Sequence, residues 1–126
     1  MWKFEQKTGK IFDDEGTWVG TGYAGRDAGK NNPLLENLKG IGPLPRGVYT
    51  GDALVMHDPK LGPYVIHLTP DAPTTERIEA YGRDPESFFM HGDNVKSPGT
   101  ASHGCIIQSR TTREAFWGSS RVVQVV

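Results

Sequence analysis

Apolar and polar positions alternate with a period of two at the start of the chain, and the same pattern returns in short bursts to its end. Trp2-Lys3-Phe4-Glu5 alternates, Lys7-Thr8-Gly9-Lys10 has turn composition and Ile11-Phe12 opens a return strand, so these residues predict a β-hairpin. A turn at Asp13-Asp14-Glu15-Gly16 precedes Thr17 to Tyr23, which is rich in β-formers but loosened by Gly20 and Gly22. Gly47 to Gly51 opens another strand, and Tyr64 to Thr69, Phe88 to Met90, Cys105 to Ile107 and Val122 to Val126 read as further strands. Helical signals are few. Asn32 as N-cap with Pro33 at the first helical position predicts a short helix near Asn32 to Leu38, and a second is expected around Arg113 to Trp117. Gly40 to Pro45 reads as a constrained loop, Asp71 to Arg77 as a polar loop, and Met56-His57-Asp58-Pro59 as a surface turn. Trp2, Trp18 and Trp117 are expected in the core or covering the sheet, and His67, inside a strand, in a structural place.

Composition supports that reading. Among 126 residues there are 16 Gly and 9 Pro, which leaves little room for long helices and favours short strands joined by turns. No repeat, heptad or linker-like tract divides the chain, so residues 1-126 are expected to form one mainly β domain with one or two short helices.

Charge narrows the function. Fourteen basic and 15 acidic residues give a net charge of -1, which argues against duplex DNA or an anionic membrane as the main partner. No run approaches the ~20 apolar residues that cross a bilayer, and the start has no apolar signal region. A single cysteine excludes a disulfide scaffold.

That cysteine lies in the densest group of reactive side chains, Met90-His91-Gly92-Asp93-Asn94 and then Ala101-Ser102-His103-Gly104-Cys105-Ile106. A thiol with the ordinary pKa of ~8.5 is mostly protonated at neutral pH, so a cysteine nucleophile needs a base that takes its proton or holds it as an ion pair. His91 ends one short apolar strand and can face a neighbouring strand that carries Cys105. Gly92 and Gly104 permit close approach to the backbone, and the amides around Gly104 and Cys105 are candidate donors to an oxyanion.

At these residues the chain resembles the L,D-transpeptidases of bacterial peptidoglycan, whose signature is a His-Gly pair, a short loop, and Ser/Thr-His-Gly-Cys followed by an aliphatic residue. His91-Gly92 and Ser102-His103-Gly104-Cys105-Ile106 match it. The resemblance implies a compact β-sandwich or barrel, with Cys105 as nucleophile and His91 as general base. It also implies that the Gly92 carbonyl or a neighbouring group orients the imidazole, and that Ser102 and His103 shape the site and its oxyanion hole. No cofactor is implied. Val19-Gly20-Thr21-Gly22-Tyr23-Ala24-Gly25, Asn31-Asn32-Pro33, Ile41 to Tyr49 and Leu61-Gly62-Pro63 extend the similarity to the small effectors of this fold exported by type VI secretion systems. Those are antibacterial toxins that reach the target's periplasm without a classical signal and cut or exchange residues on stem peptides. Stem peptides, the secretion machinery and a cognate immunity protein are the partners that follow.

Asp93, Tyr23 and Arg110 are further candidates for binding substrate or orienting the imidazole. The classical family places an arginine close behind the Cys-aliphatic pair, whereas here Ile107-Gln108-Ser109 intervenes before Arg110. Two other readings belong to different classes. His91, Asp93, His103 and Cys105 are all competent zinc ligands and together suit a hydrolytic zinc centre. A wall-binding module that has lost catalysis is the other.

Overall fold

The N-terminal alternation folds as a hairpin in the computed structural model, which describes all 126 residues. Trp2–Phe4 (β1) pairs antiparallel with Lys10–Phe12 (β2), and Trp2 and Phe4 turn to the core while Lys3 faces solvent. The Trp18–Thr21 strand (β3) continues the sheet beyond β2. The segment then breaks at Gly22 and resumes as Tyr23–Ala24 (β4), because a side chain at Gly22 has no room: a Cβ there would lie 1.7 Å from the Ile107 carbonyl oxygen.

The remaining strands are Gly47–Asp58 (β5), Gly62–Pro70 (β6), Phe89–His91 (β7), Ile106–Ile107 (β8) and Val122–Val125 (β9). They form one nine-stranded sheet in the order β3-β2-β1-β9-β5-β6-β7-β8-β4. Its two ends are the halves of a single segment, residues 18–24, so the sheet is rolled around its core. The Gly9 carbonyl closes the seam, accepting from the Gly22 amide at 2.8 Å and from Gln108 Nε2 at 3.1 Å. Most pairings are antiparallel; β1 with β9 and β7 with β8 are parallel. The core inside the roll holds Phe4, Tyr49, Leu68, Met90, Ile106 and Phe116, all essentially inaccessible. Each such side chain contributes about 1.5–3 kcal/mol through removal from water.

The mainly β class with two short helices agrees with the sequence expectation, while several elements depart from it. Asp71 to Arg77 is not a loop: Ala72–Ala80 is a helix (α1), whose N-cap Asp71 accepts from the Thr74 amide at 3.1 Å and whose first turn contains Pro73. The second helix, Arg110–Trp117 (α2), begins three residues earlier than expected because Ser109 caps it, accepting from the Thr112 amide at 3.2 Å. Near Asn32 the cap forms, but only a single 3-10 turn, Pro33–Leu35, follows. Strand β5 runs on through Met56 and His57, so the turn falls at residues 59–61. Trp2 is buried and Trp117 half-buried, whereas Trp18 is 58% exposed, outside the core, with Lys10 Nζ 5.0 Å from its ring centroid. No helix is long and apolar enough to cross a membrane.

Candidate active site

The parallel pair β7–β8 sets the site. Parallel neighbours need a crossover of a dozen or more residues, and here the Gly92 to Cys105 segment supplies it without a helix. In register, Met90 lies beside Ile106 and His91 beside Ile107. Met90 and Ile106 belong to the core, so His91 and Ile107 project from the other face of the sheet. Cys105 lies just ahead of β8, outside the strand, so that alternation does not fix its side chain. The structure thus places His91 on β7 and Cys105 at the entry to the adjacent strand.

Their chemical states are separately fixed. His91 Nδ1 is 2.9 Å from the Gly92 carbonyl oxygen. A carbonyl only accepts, so Nδ1 carries the proton and the neutral ring leaves its lone pair on Nε2. The imidazole is 2% exposed; burial holds its pKa below the ordinary value, with the Arg113 charge adding to that effect and the Gly92 carbonyl opposing it. The Cys105 sulfur is 3.8 Å from the Ser87 carbonyl oxygen. Burial pushes the thiol up to about 11, opposed in part by the Phe89 amide and the Arg83 guanidinium. No hydrogen bond joins the thiol to the imidazole. The pair is held as neutral thiol and neutral base.

Beside it lies a cleft of about 1020 Å³. His91, Gly92, His103 and Ile107 line it, whereas Cys105 does not form part of its wall. The loop before the cysteine is organised by Ser102, which is fully buried. Its Oγ accepts from the Gly25 amide at 2.8 Å and the Gly104 amide at 3.0 Å and donates to the Cys105 carbonyl at 2.7 Å. Of the expected oxyanion donors, the Gly104 N–H is occupied by Ser102, while the Cys105 N–H lies toward its own sulfur and lowers the thiol pKa.

Tyr23 and Asp93 organise the crossover loop, and the Asp93 charge also opposes the lowering of the His91 pKa. The Tyr23 hydroxyl donates to Asp93 Oδ1 at 2.5 Å and accepts from the Ala101 amide at 3.0 Å. Asp93 also receives the Asn94 and Gly99 amides at 2.8 and 3.1 Å. Desolvation alone would raise the Asp93 pKa, but the hydroxyl and the two amides hold it low, and burial with the adjacent carboxylate raises Tyr23 to about 12. His103 is exposed, with Nε2 3.3 Å from Arg26 Nη1. The four candidate zinc donors do not converge, and no three His, Cys, Asp or Glu side chains anywhere in the chain form a ligand set.

Two arginines that sequence reading passed over matter more than Arg110. Arg83 is 5% exposed and donates to the carbonyls of Glu36, Pro43, Gly42 and His103 at 2.7 to 3.3 Å, tying the cysteine loop to the loop at Gly42-Pro43. A Cβ at Gly104 would meet its Nη2 at 2.5 Å, so that glycine, at φ 132°, is required for the guanidinium to lie there. Arg113, also 5% exposed, donates through Nη1 to the carbonyls of Pro63 and Tyr64 and through Nε to Gln108. Arg110 instead lies over the Tyr64 ring at 4.4 Å and pairs with Glu114 at 3.5 Å. The spacing Ser109, Arg113, Phe116 on one helix face was the signal that Arg113 points inward.

No protein-family model, curated protein or solved structure matches the chain.

Proposed function

We propose that this protein is a cysteine acyl transferase of the L,D-transpeptidase type that acts on the tetrapeptide stems of peptidoglycan. The observation that carries the reading is the His91 imidazole. Its proton is fixed on Nδ1 by the Gly92 carbonyl, its basic Nε2 is free, and it stands in a cleft wall on the strand next to the one that Cys105 leads into. The His-Gly and Ser-His-Gly-Cys pattern and the rolled β-sheet are in keeping with that fold.

In this account the thiol turns from the Ser87 carbonyl toward the cleft, a side-chain rotamer change. His91 Nε2 takes its proton as sulfur attacks the carbonyl that joins an L-centre to the terminal D-alanine. The oxyanion is held by the Cys105 amide, a type of contact worth about 3 kcal/mol. The imidazolium returns the proton to the departing amine, leaving a thioester. Water then gives carboxypeptidase chemistry, and a D-amino acid amine gives exchange. An antibacterial role, delivery by a secretion system into the target periplasm and inhibition by an immunity protein that fills the cleft belong to the same proposal. The test is mass spectrometry of tetrapeptide muropeptides incubated with the protein. Loss of D-alanine in the wild type and none with Cys105→Ala is expected; equal cleavage by both overturns the reading.

One feature favours a second reading, a stem-peptide-binding module without catalysis: the thiol is 8% exposed, raised to about 11 and outside the cleft wall. That module would bind muropeptides and leave them unchanged under every condition.

A further inference from the structure

The same cleft has one-sided electrostatics. Lys30, Lys60, Arg110 and Arg113 line it, and the single carboxylate on its wall, Asp93, is already occupied by the Tyr23 hydroxyl and the Asn94 and Gly99 amides. In a chain of net charge -1, so many cations around one cavity are a local concentration and not a consequence of composition.

Arg113 is the telling member. A buried guanidinium is costly unless paired, yet Arg113 has no carboxylate partner. Nε and Nη1 are satisfied by backbone carbonyls, while Nη2 makes no hydrogen bond within the chain, although the side chain is 95% removed from solvent. Nη2 points at Gly92: a Cβ there would sit 2.9 Å from it, so the glycine beside the imidazole keeps that nitrogen uncovered. Lys60, on the tight turn between β5 and β6, also lacks an ion pair; the neighbouring Asp58 carboxylate is turned to the Lys60 and Leu61 backbone amides at 2.8 and 2.7 Å. Behind these residues the N-terminus of α2 adds its partial positive charge.

We propose that this end of the cleft is an anion subsite for the substrate, in which Arg113 Nη2 is the inner carboxylate anchor and Lys60 an outer one, so that the preferred ligands are peptides with at least two free carboxylates. This rests on the cleft's being the substrate site and adds the chemical class that it selects. Guanidinium–carboxylate hydrogen bonds are charge-assisted and directional, which gives discrimination against an amide of the same shape.

The experiment is titration calorimetry on the full chain carrying Cys105→Ala, which removes turnover. The probes are L-Ala-γ-D-Glu-meso-diaminopimelate-D-Ala with all carboxylates free, the same peptide with the glutamate and diaminopimelate carboxylates amidated, and N-acetyl-D-glutamate as a small dicarboxylate. The free peptide is expected to bind about tenfold or more tightly than the amidated one, and to weaken severalfold from roughly 50 to 300 mM salt. Lys60→Gln, on a surface turn where folding is not at stake, is expected to remove about half of that preference on a logarithmic scale. Arg113→Lys, which keeps charge but loses the planar fork, is expected to remove most of the rest. Equal affinity for free and amidated peptides, or no effect of Lys60→Gln, overturns the proposal. The two levels separate cleanly: N-acetyl-D-glutamate binding that depends on Lys60 in a protein that cleaves nothing supports the subsite and sinks the acyl-transfer reading. Cleavage of free and amidated stems at equal kcat/KM does the reverse.

Discussion

At the residue scale, burial favours a neutral thiol at Cys105 and a neutral imidazole at His91, and that has consequences for pH dependence. In the unfolded chain Cys105 ionises near its ordinary value of 9.0, while in the folded protein it holds its proton to about 11. Between those values the folded state binds more protons than the unfolded one, so stability falls as pH rises. Urea unfolding should show a loss of about 2 kcal/mol between pH 8.5 and 11 that Cys105→Ala removes. The acid side has the opposite origin. His91 is held below its ordinary 6.5 by burial, so the unfolded chain protonates first and stability declines as pH drops through that value. The activity profile follows from the same group: kcat/KM should rise with pH through a midpoint below 6.5 and stay level to pH 9. A midpoint above 6.5 would indicate an imidazolium stabilised by a thiolate, which is a different resting site. Cys105 and His91 were legible as a candidate pair from residue types at a given spacing. The burial that keeps the thiol protonated was not, because the residues that bury it, and the Phe89 amide and Arg83 guanidinium that oppose the effect, meet it only through the fold. Arg113 was missed for the same reason: the carbonyls that hold it belong to Pro63 and Tyr64, about fifty residues away in sequence.

At the element scale, most strands announced themselves by alternation or by short apolar runs, and two elements did not. In α1 only Thr74 and Ile78 are buried, too few to make an apolar stripe, so the polar composition of residues 71–77 concealed it. The signal that survives is local: Asp71 as cap and Pro73 in the first turn. Asp71→Ala is therefore expected to cost about 1 kcal/mol, read as a lowered Tm. The outer half of β5 was hidden because its residues are mostly exposed, with no buried face to impose a period of two. The loop from Asp93 to Ala101 is held chiefly by the Tyr23 hydroxyl, which bridges Asp93 and the Ala101 amide. Tyr23→Phe should leave global stability nearly unchanged and speed hydrogen exchange at the Gly99 and Ala101 amides severalfold. An unchanged exchange rate would show that the hydroxyl does not fasten the loop.

At the scale of the whole molecule, the site depends on the rolling of the sheet. β8 lies between β7, which carries His91, and β4, which follows Gly22 at the seam. A Cβ at Gly22 would meet the Ile107 carbonyl at 1.7 Å, backbone that cannot swing aside, so Gly22→Ala should destabilise the fold by about 3 kcal/mol or more. The sequence showed that this position was a glycine between two β-forming stretches. It did not show that the two stretches belong to opposite ends of one sheet, since strand order is set by pairings as distant as Trp2 with Val123. The parallel alignment of β7 and β8 is of the same kind, and it is what brings the two halves of the motif onto adjacent strands.

The most direct trial of the central claim is intact-protein mass spectrometry after rapid mixing with a tetrapeptide muropeptide, with the low-molecular-weight products analysed in parallel. Wild-type protein should carry a hydroxylamine-labile adduct on Cys105, the mass of the stem lacking its terminal D-alanine, and should release D-alanine. His91→Ala should slow both by about 10²–10⁴-fold, and Cys105→Ala should show neither. D-alanine release that persists in Cys105→Ala, or a wild-type protein that binds the stem and forms neither adduct nor product from pH 5 to 10, would contradict the account.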